Sequence, residues 1–98
     1  MGSRCFCIYL LASNIYGTLY IGVTGDLPTR LEQHKNGECK FTRKYKINKL
    51  VYYEIYDNPR DAIVREKQLK AWKRKWKIEL IQEENPYWKD LRSEFLEE

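Results

Sequence analysis

Apolar and polar positions along the chain fall into short blocks of differing period. Residues 5–11 are almost wholly apolar and end at Ala12-Ser13-Asn14, the pattern of a strand buried on both faces. Ile15-Tyr16-Gly17 is a connection, and 18–23 reads as a second strand, so the two form a hairpin. Alternation puts Cys7 and Tyr9 on one face of the first strand, and Thr18, Tyr20 and Gly22 on one face of the second. Both tyrosines can therefore emerge on the same side. Asp26 is a suitable N-cap for a helix with Pro28 in its first turn, and Gly37 ends that helix. Leu27 and Leu31 face the core, while Arg30 and His34, four apart, share a displaced face with side chains in reach of one ligand.

Residues 39–47 read as a polar, basic connection, followed by a β-branched and aromatic third strand at 50–56. Asp57-Asn58-Pro59 stops that strand and starts a helix through Trp72, with Ala62, Ile63, Leu69 and Trp72 at helical spacing. A further helix spans about 73–83, Asn85-Pro86 breaks it, and Trp88, Leu91, Phe95 and Leu96 support a last helical turn. Trp72, Trp76 and Trp88 are assigned to the core. The order β-β-α-β-α-α, with helices needed to cover a small sheet, implies an α+β sandwich. With 98 residues the chain has the length of one domain, its core expected over about 5–91.

Composition adds exclusions. No apolar run approaches the roughly 18 residues that cross a bilayer, and the N-terminus shows no cleavage pattern of a signal peptide. Three cysteines cannot all pair within the chain, so reduced thiols in the cytoplasm are expected. Cys5 and Cys7 project to one side of a strand but lie about 6.6 Å apart along it, too far for one zinc ion with bonds of about 2.3 Å. Small buried hydrophobes are the expected role of Cys5, Cys7 and Cys39.

Charge is more informative. Residues 1–39 carry three basic and three acidic side chains, 40–77 thirteen and four, and 78–98 two and seven. A basic middle interleaved with Phe41, Tyr45, Tyr52, Tyr53, Tyr56 and Trp72 suits a polyanion-facing surface. Arg43, Lys44, Lys46, Lys70, Lys73, Arg74 and Lys77 are its candidate phosphate contacts. The acidic end, from Glu94 to Glu98, is read as a solvated segment.

Cys7-Ile8-Tyr9 and, eleven residues after that tyrosine, Tyr20-Ile21-Gly22 resemble the paired motifs of the GIY-YIG nuclease superfamily. The run from Ser13 to Thr24 resembles its small bacterial, URI-type members. So do Asp26-Leu27 through Arg30, His34-Lys35-Asn36-Gly37, Arg65-Glu66-Lys67-Gln68 and Asn85-Pro86-Tyr87-Trp88. One departure stands out: Cys7 replaces the glycine of the first motif, and would obstruct a nucleic-acid backbone passing directly over its α-carbon. The resemblance implies a three-stranded antiparallel sheet flanked by helices and metal-dependent cleavage of a phosphodiester. It assigns Tyr9 and Tyr20 to the two motif tyrosines, Arg30 to the helix arginine, His34 to the histidine one turn later and Glu66 to the metal-binding carboxylate, with Asn85 a further candidate near the end.

Those residue types match the chemistry. One Mg²⁺ or Mn²⁺ ion that keeps most of its water can be held by a single carboxylate, here Glu66. Arg30 offers a permanent charge and a planar fork for phosphate oxygens. A free tyrosine titrates near 10, so Tyr9 or Tyr20 needs a nearby cation to act as base, whereas the ordinary value of His34, about 6.5, already suits the task. The working assignment is Tyr9 as proton acceptor assisted by His34, with Tyr20 positioning the phosphate. The expected partner is DNA, branched and single-stranded forms included, cleaved in repair, recombination or processing. The rival reading is a non-catalytic nucleic-acid-binding or adaptor module, which in a chain with no room for a separate recognition domain would borrow a protein partner or dimerise.

Overall fold

The computed structural model describes residues 5–95. Its elements are β1 (Phe6–Ala12), β2 (Leu19–Thr24), α1 (Leu27–Lys35), α2 (Lys40–Lys44), β3 (Lys49–Tyr56), α3 (Pro59–Ala71), α4 (Arg74–Glu84) and a closing 3-10 turn at Leu91–Glu94. The three strands form one antiparallel sheet in the order β2-β1-β3, the α+β arrangement expected. β1, apolar at nearly every position, takes the centre and is buried on both faces.

Each face of the sheet has its own apolar cluster. Ile8, Leu10, Ile21 and Val51 pack with Ala62 and Leu69 of α3 and Ile81 of α4. On the other face Cys7, Tyr9 and Leu11 pack with Leu27 and Leu31 of α1 and with Ile47 and Leu50. Complete burial of a leucine such as Leu31 contributes about 1.5–3 kcal/mol. The caps match the sequence signals: the Asp26 carboxylate accepts from the Thr29 N–H at 3.2 Å, and Asn58 from that of Arg60 at 2.8 Å. Gly37, just past α1, has φ +76°, a backbone that favours glycine.

Several expectations are corrected. The connection at 39–47 contains a helical turn, α2, which inserts an extra helix before β3. It lacks an apolar period because only Thr42 is buried, and that side chain is held by a hydrogen bond to His34. Trp76 is 46% exposed rather than in the core, lying under Lys73 and edge-on to Trp72, and Ile63 is also exposed. Of the cysteines only Cys7 is buried. Leu96, expected to support the last turn, lies outside the described residues.

α3 is tied to β3 by a polar cluster. Arg65 donates from Nε to Glu54 Oε1 at 3.0 Å and from Nη2 to Oε2 at 3.1 Å, while the hydroxyls of Tyr52 and Tyr56 donate to the same carboxylate. Burial pushes the Glu54 carboxyl up, but these donors outweigh burial and hold it below the ordinary carboxylate range. The residue next to this anchor is Glu66.

Candidate active site

β1 and β2 pair so that Tyr9 lies opposite Gly22 and Leu11 opposite Tyr20. The Tyr9 ring crosses above Gly22: a Cβ there would stand 2.4 Å from both the Tyr9 hydroxyl and its ring carbon Cζ, a distance no side chain tolerates. Glycine in the second motif is therefore the space in which the phenol of the first motif lies.

From the opposite side α1 supplies His34, whose Nε2 is 3.0 Å from the Tyr9 hydroxyl, and Arg30, whose guanidinium interacts with the same oxygen. The Tyr20 ring lies 6.3 Å from that of Tyr9 and 5.3 Å from His34. Four of the expected residues, Tyr9, Tyr20, Arg30 and His34, are thus gathered. Two lie deep, Tyr9 fully and His34 almost fully buried, while Tyr20 and Arg30 are half-exposed at the mouth.

The hydrogen-bond chain fixes the imidazole tautomer. His34 Nδ1 is 2.9 Å from Thr42 Oγ1, and that hydroxyl donates to the Cys39 carbonyl at 3.2 Å. With its one proton given away, Thr42 accepts, so Nδ1 carries the His34 proton and Nε2 is the acceptor. The buried Tyr9 hydroxyl has no other acceptor among the described residues and donates to Nε2. Burial first, and the Arg30 charge second, hold His34 down at about 4, so the ring is neutral at pH 7. Burial likewise pushes Tyr9 up to about 12, with Arg30 opposing but not reversing it. The lowered phenol needed for a free phenolate base is absent. Sequence reasoning anticipated the cation and not the depth of burial. It also missed Thr42, eight residues after His34, a spacing with no period to reveal it.

Glu66 comes from the other layer. It lies on α3, its side chain only 13% exposed, with Oε2 2.9 Å from Lys70 Nζ. Among the described residues no hydrogen bond or ion pair joins it to Tyr9, Tyr20 or Arg30, and no group of three His, Cys, Asp or Glu side chains could jointly hold a metal. The two layers approach one another at the β2 edge. There a groove of about 400 Å³ is lined by Leu19, Tyr20, Ile21, Phe41, Lys70 and Lys77, so the lysine that pairs with Glu66 shares a wall with Tyr20.

The basic candidates divide. Lys70 and Lys77 line this groove, and Arg43 and Lys44 are exposed on α2 beside Phe41. Lys46 is exposed, and Lys73 lies over Trp76. Arg74 Nη2 instead clamps the β1–β2 hairpin, 2.5 Å from the Tyr16 carbonyl and 2.7 Å from that of Gly17. Asn85 is not brought to the cluster. It is buried, its Nδ2 donating to the Val51 and Lys89 carbonyls and its Oδ1 accepting from the Lys89 N–H, a brace between α4 and β3. Cys7 is 8% exposed and packed among Tyr9 and Leu27, so it presents no surface for a nucleic-acid backbone to cross.

The GIY-YIG catalytic domain matches residues 5–79 of this sequence. The chain belongs to the GIY-YIG family. It is similar to UPF0213 proteins of Staphylococcus saprophyticus and of Staphylococcus aureus strain Mu3, in each case 37% identical over 68 residues, which is 68% of this chain and 83% of the relative. No solved structure matches it. Family membership supports a nuclease-type function and a nucleic-acid substrate, and no helix among the described residues is long and apolar enough to cross a membrane.

Proposed function

We propose that this protein is a metal-dependent endonuclease that hydrolyses DNA phosphodiester bonds in repair, recombination or processing. The observation that carries this reading is the Tyr9–His34 pair: a buried phenol donating to a neutral imidazole beside a permanent cation. Tyr9 is fully buried, so a water reaches its oxygen as Tyr20 and Arg30 at the mouth give way, and it passes its proton to that oxygen as the phenol's own proton passes to His34 Nε2. Neither group has to ionise alone. Tyr9 is thus a relay and His34 the terminal acceptor, rather than Tyr9 a free base. Arg30, whose charge helps to keep His34 neutral, is the group a phosphodiester anion meets, and that anion partly cancels the cation and raises the basicity of His34 as the substrate arrives. Arg30 then faces the charge that develops on the phosphoryl oxygens, a kind of contact whose loss typically costs about 10²–10³ in rate.

Glu66 fits a divalent ion by its donor type, a hard carboxylate whose ion-pair partner Lys70 lines the groove. One Mg²⁺ or Mn²⁺ ion bound there supplies Lewis-acid stabilisation of the developing charge and of the departing oxygen. Glu66 would hold it in place of the bond to Lys70, whose ammonium is released toward the phosphates. The groove beside Tyr20 takes the DNA strand: Phe41 and Tyr45, 4.9 Å apart and both exposed, offer faces to unpaired bases, and Lys70 and Lys77 lie along the phosphate path. Branched or single-stranded DNA suits this surface.

Supercoiled plasmid and branched DNA incubated with Mg²⁺, Mn²⁺ or EDTA test the reading. Nicking that requires the metal is the expected result. Binding without nicking in any metal would establish the adaptor role instead.

A further inference from the structure

A second concavity lies at the opposite edge of the sheet. It has a volume of about 630 Å³ and is lined by Val51–Tyr56, Glu84, Leu91 and Glu94. Six consecutive strand residues alternate between the faces of a sheet, so a groove touching all six follows the strand's outer edge and neither face. β3 pairs with β1 alone, and no strand among the described residues covers its other side. Among the described residues only the start of β3 is capped from outside, Leu50 N–H by Asp90 and the Val51 carbonyl by Asn85. Ile55, farther along, is 56% exposed.

Charge selects the occupant. Among the described residues, no lysine or arginine lines the groove. Glu54 is neutralised by Arg65, but Glu84 makes no ion pair among the described residues, and Glu94 only accepts from the Tyr53 hydroxyl at 3.1 Å. Two uncompensated carboxylates therefore border an unpaired strand edge. DNA is repelled there. Among its described residues a second copy of this chain offers no suitable strand: its other free edge, β2, is Leu-Tyr-Ile-Gly-Val-Thr without charge, and its dense basic stretches are helical. We propose that the outer edge of β3 receives an extended, lysine- or arginine-bearing segment of a protein partner as a fourth strand, its backbone pairing with β3 and its cations meeting Glu84 and Glu94. Because β2 and β3 are the two opposite edges of the sheet, this partner and DNA in the Tyr20 groove can be held at once.

The probe is a fluorescent peptide of about ten residues alternating Lys and Val, titrated into the full chain by anisotropy, with amide shifts read by NMR. Saturable binding with shifts centred on Val51–Tyr56 is expected. Glu84→Gln combined with Glu94→Gln should weaken binding by about three- to tenfold while leaving plasmid nicking unchanged, and N-methylation of alternate peptide residues should abolish binding. Absence of saturable binding, shifts elsewhere, or equal affinity of the N-methylated peptide, which would mean charge attraction without strand pairing, would each overturn the proposal. Self-association of the chain through this edge in sedimentation would overturn it in favour of a second copy.

Discussion

Replacing Thr42 by valine keeps the side chain's shape and removes one hydroxyl, and it tests the proton relay at its far end. Thr42 is 2% exposed and accepts from His34 Nδ1 at 2.9 Å. Without it the Nδ1–H is left buried and unpaired at a cost of about 1–3 kcal/mol. The ring can escape that cost only by moving its proton to Nε2. In that tautomer Nε2 donates to Tyr9, and the phenol no longer has an acceptor for its own proton. Thr42→Val should therefore lower stability by about 1–2 kcal/mol and cleavage by about 10²-fold or more, with DNA affinity nearly unchanged. The imidazole ¹⁵N shifts report the tautomer directly. They should show Nδ1–H in the parent, and Nε2–H in the variant. Thr42→Ser, which keeps the hydroxyl, should restore both the tautomer and the rate. If Thr42→Val adopted the Nε2–H form and still cleaved at the parent rate, the relay would be refuted; if it retained Nδ1–H, the control of the tautomer by Thr42 would be refuted.

Three further outcomes follow from the same geometry. Gly22→Ala places a Cβ 2.4 Å from the Tyr9 ring, so the ring must leave its slot; a thermal shift corresponding to about 1–3 kcal/mol and loss of nicking are expected, whereas Gly25→Ala, which meets only the movable Phe6 ring at 3.2 Å, should be mild. His34, held at about 4 against an ordinary 6.5, takes up a proton more readily unfolded than folded. Stability from this group is therefore complete above about pH 6.5 and falls as pH drops toward 4, by about 3 kcal/mol in all; denaturant unfolding between pH 7 and 4 measures it, and Arg30→Gln should raise the histidine's NMR titration midpoint because one of its two depressing causes is gone. Replacing Arg43 and Lys77 together by glutamine should lower the slope of log affinity for duplex DNA against log salt by about 2 if each neutralises one phosphate, read by filter binding across a salt series.

The sheet was legible because its central strand is apolar at every position, its second strand follows after a short Asn- and Gly-containing connection and its third is rich in β-branched and aromatic residues, and α1 and α3 because Asp26-Pro28 and Asn58-Pro59 announce their starts. α2 was not, since a five-residue basic helix held by one buried threonine leaves no period in the sequence. Trp76 was misplaced for a related reason: indole in a helix predicts contact with something apolar, and here that is the exposed edge of Trp72. At the site, the convergence of Tyr9, Tyr20, Arg30 and His34 followed from strand alternation and an i, i+4 helix pair. The direction of the proton did not. It depends on Thr42 and on burial, which only the folded chain supplies. The basic segment was found as charge, but which cation meets DNA was not, because Arg74 is occupied by the hairpin backbone.

The central claim is that one relay, one guanidinium and one carboxylate from two layers of the fold act on the same phosphodiester. The most direct test measures the Mg²⁺-dependent nicking rate of Tyr9→Phe, Arg30→Ala, His34→Ala and Glu66→Ala beside Lys67→Ala, an exposed neighbour on α3. The account predicts losses of about 10²-fold or more for the first four and a parent-like rate for the last. Undiminished nicking by folded Glu66→Ala or Arg30→Ala would contradict it.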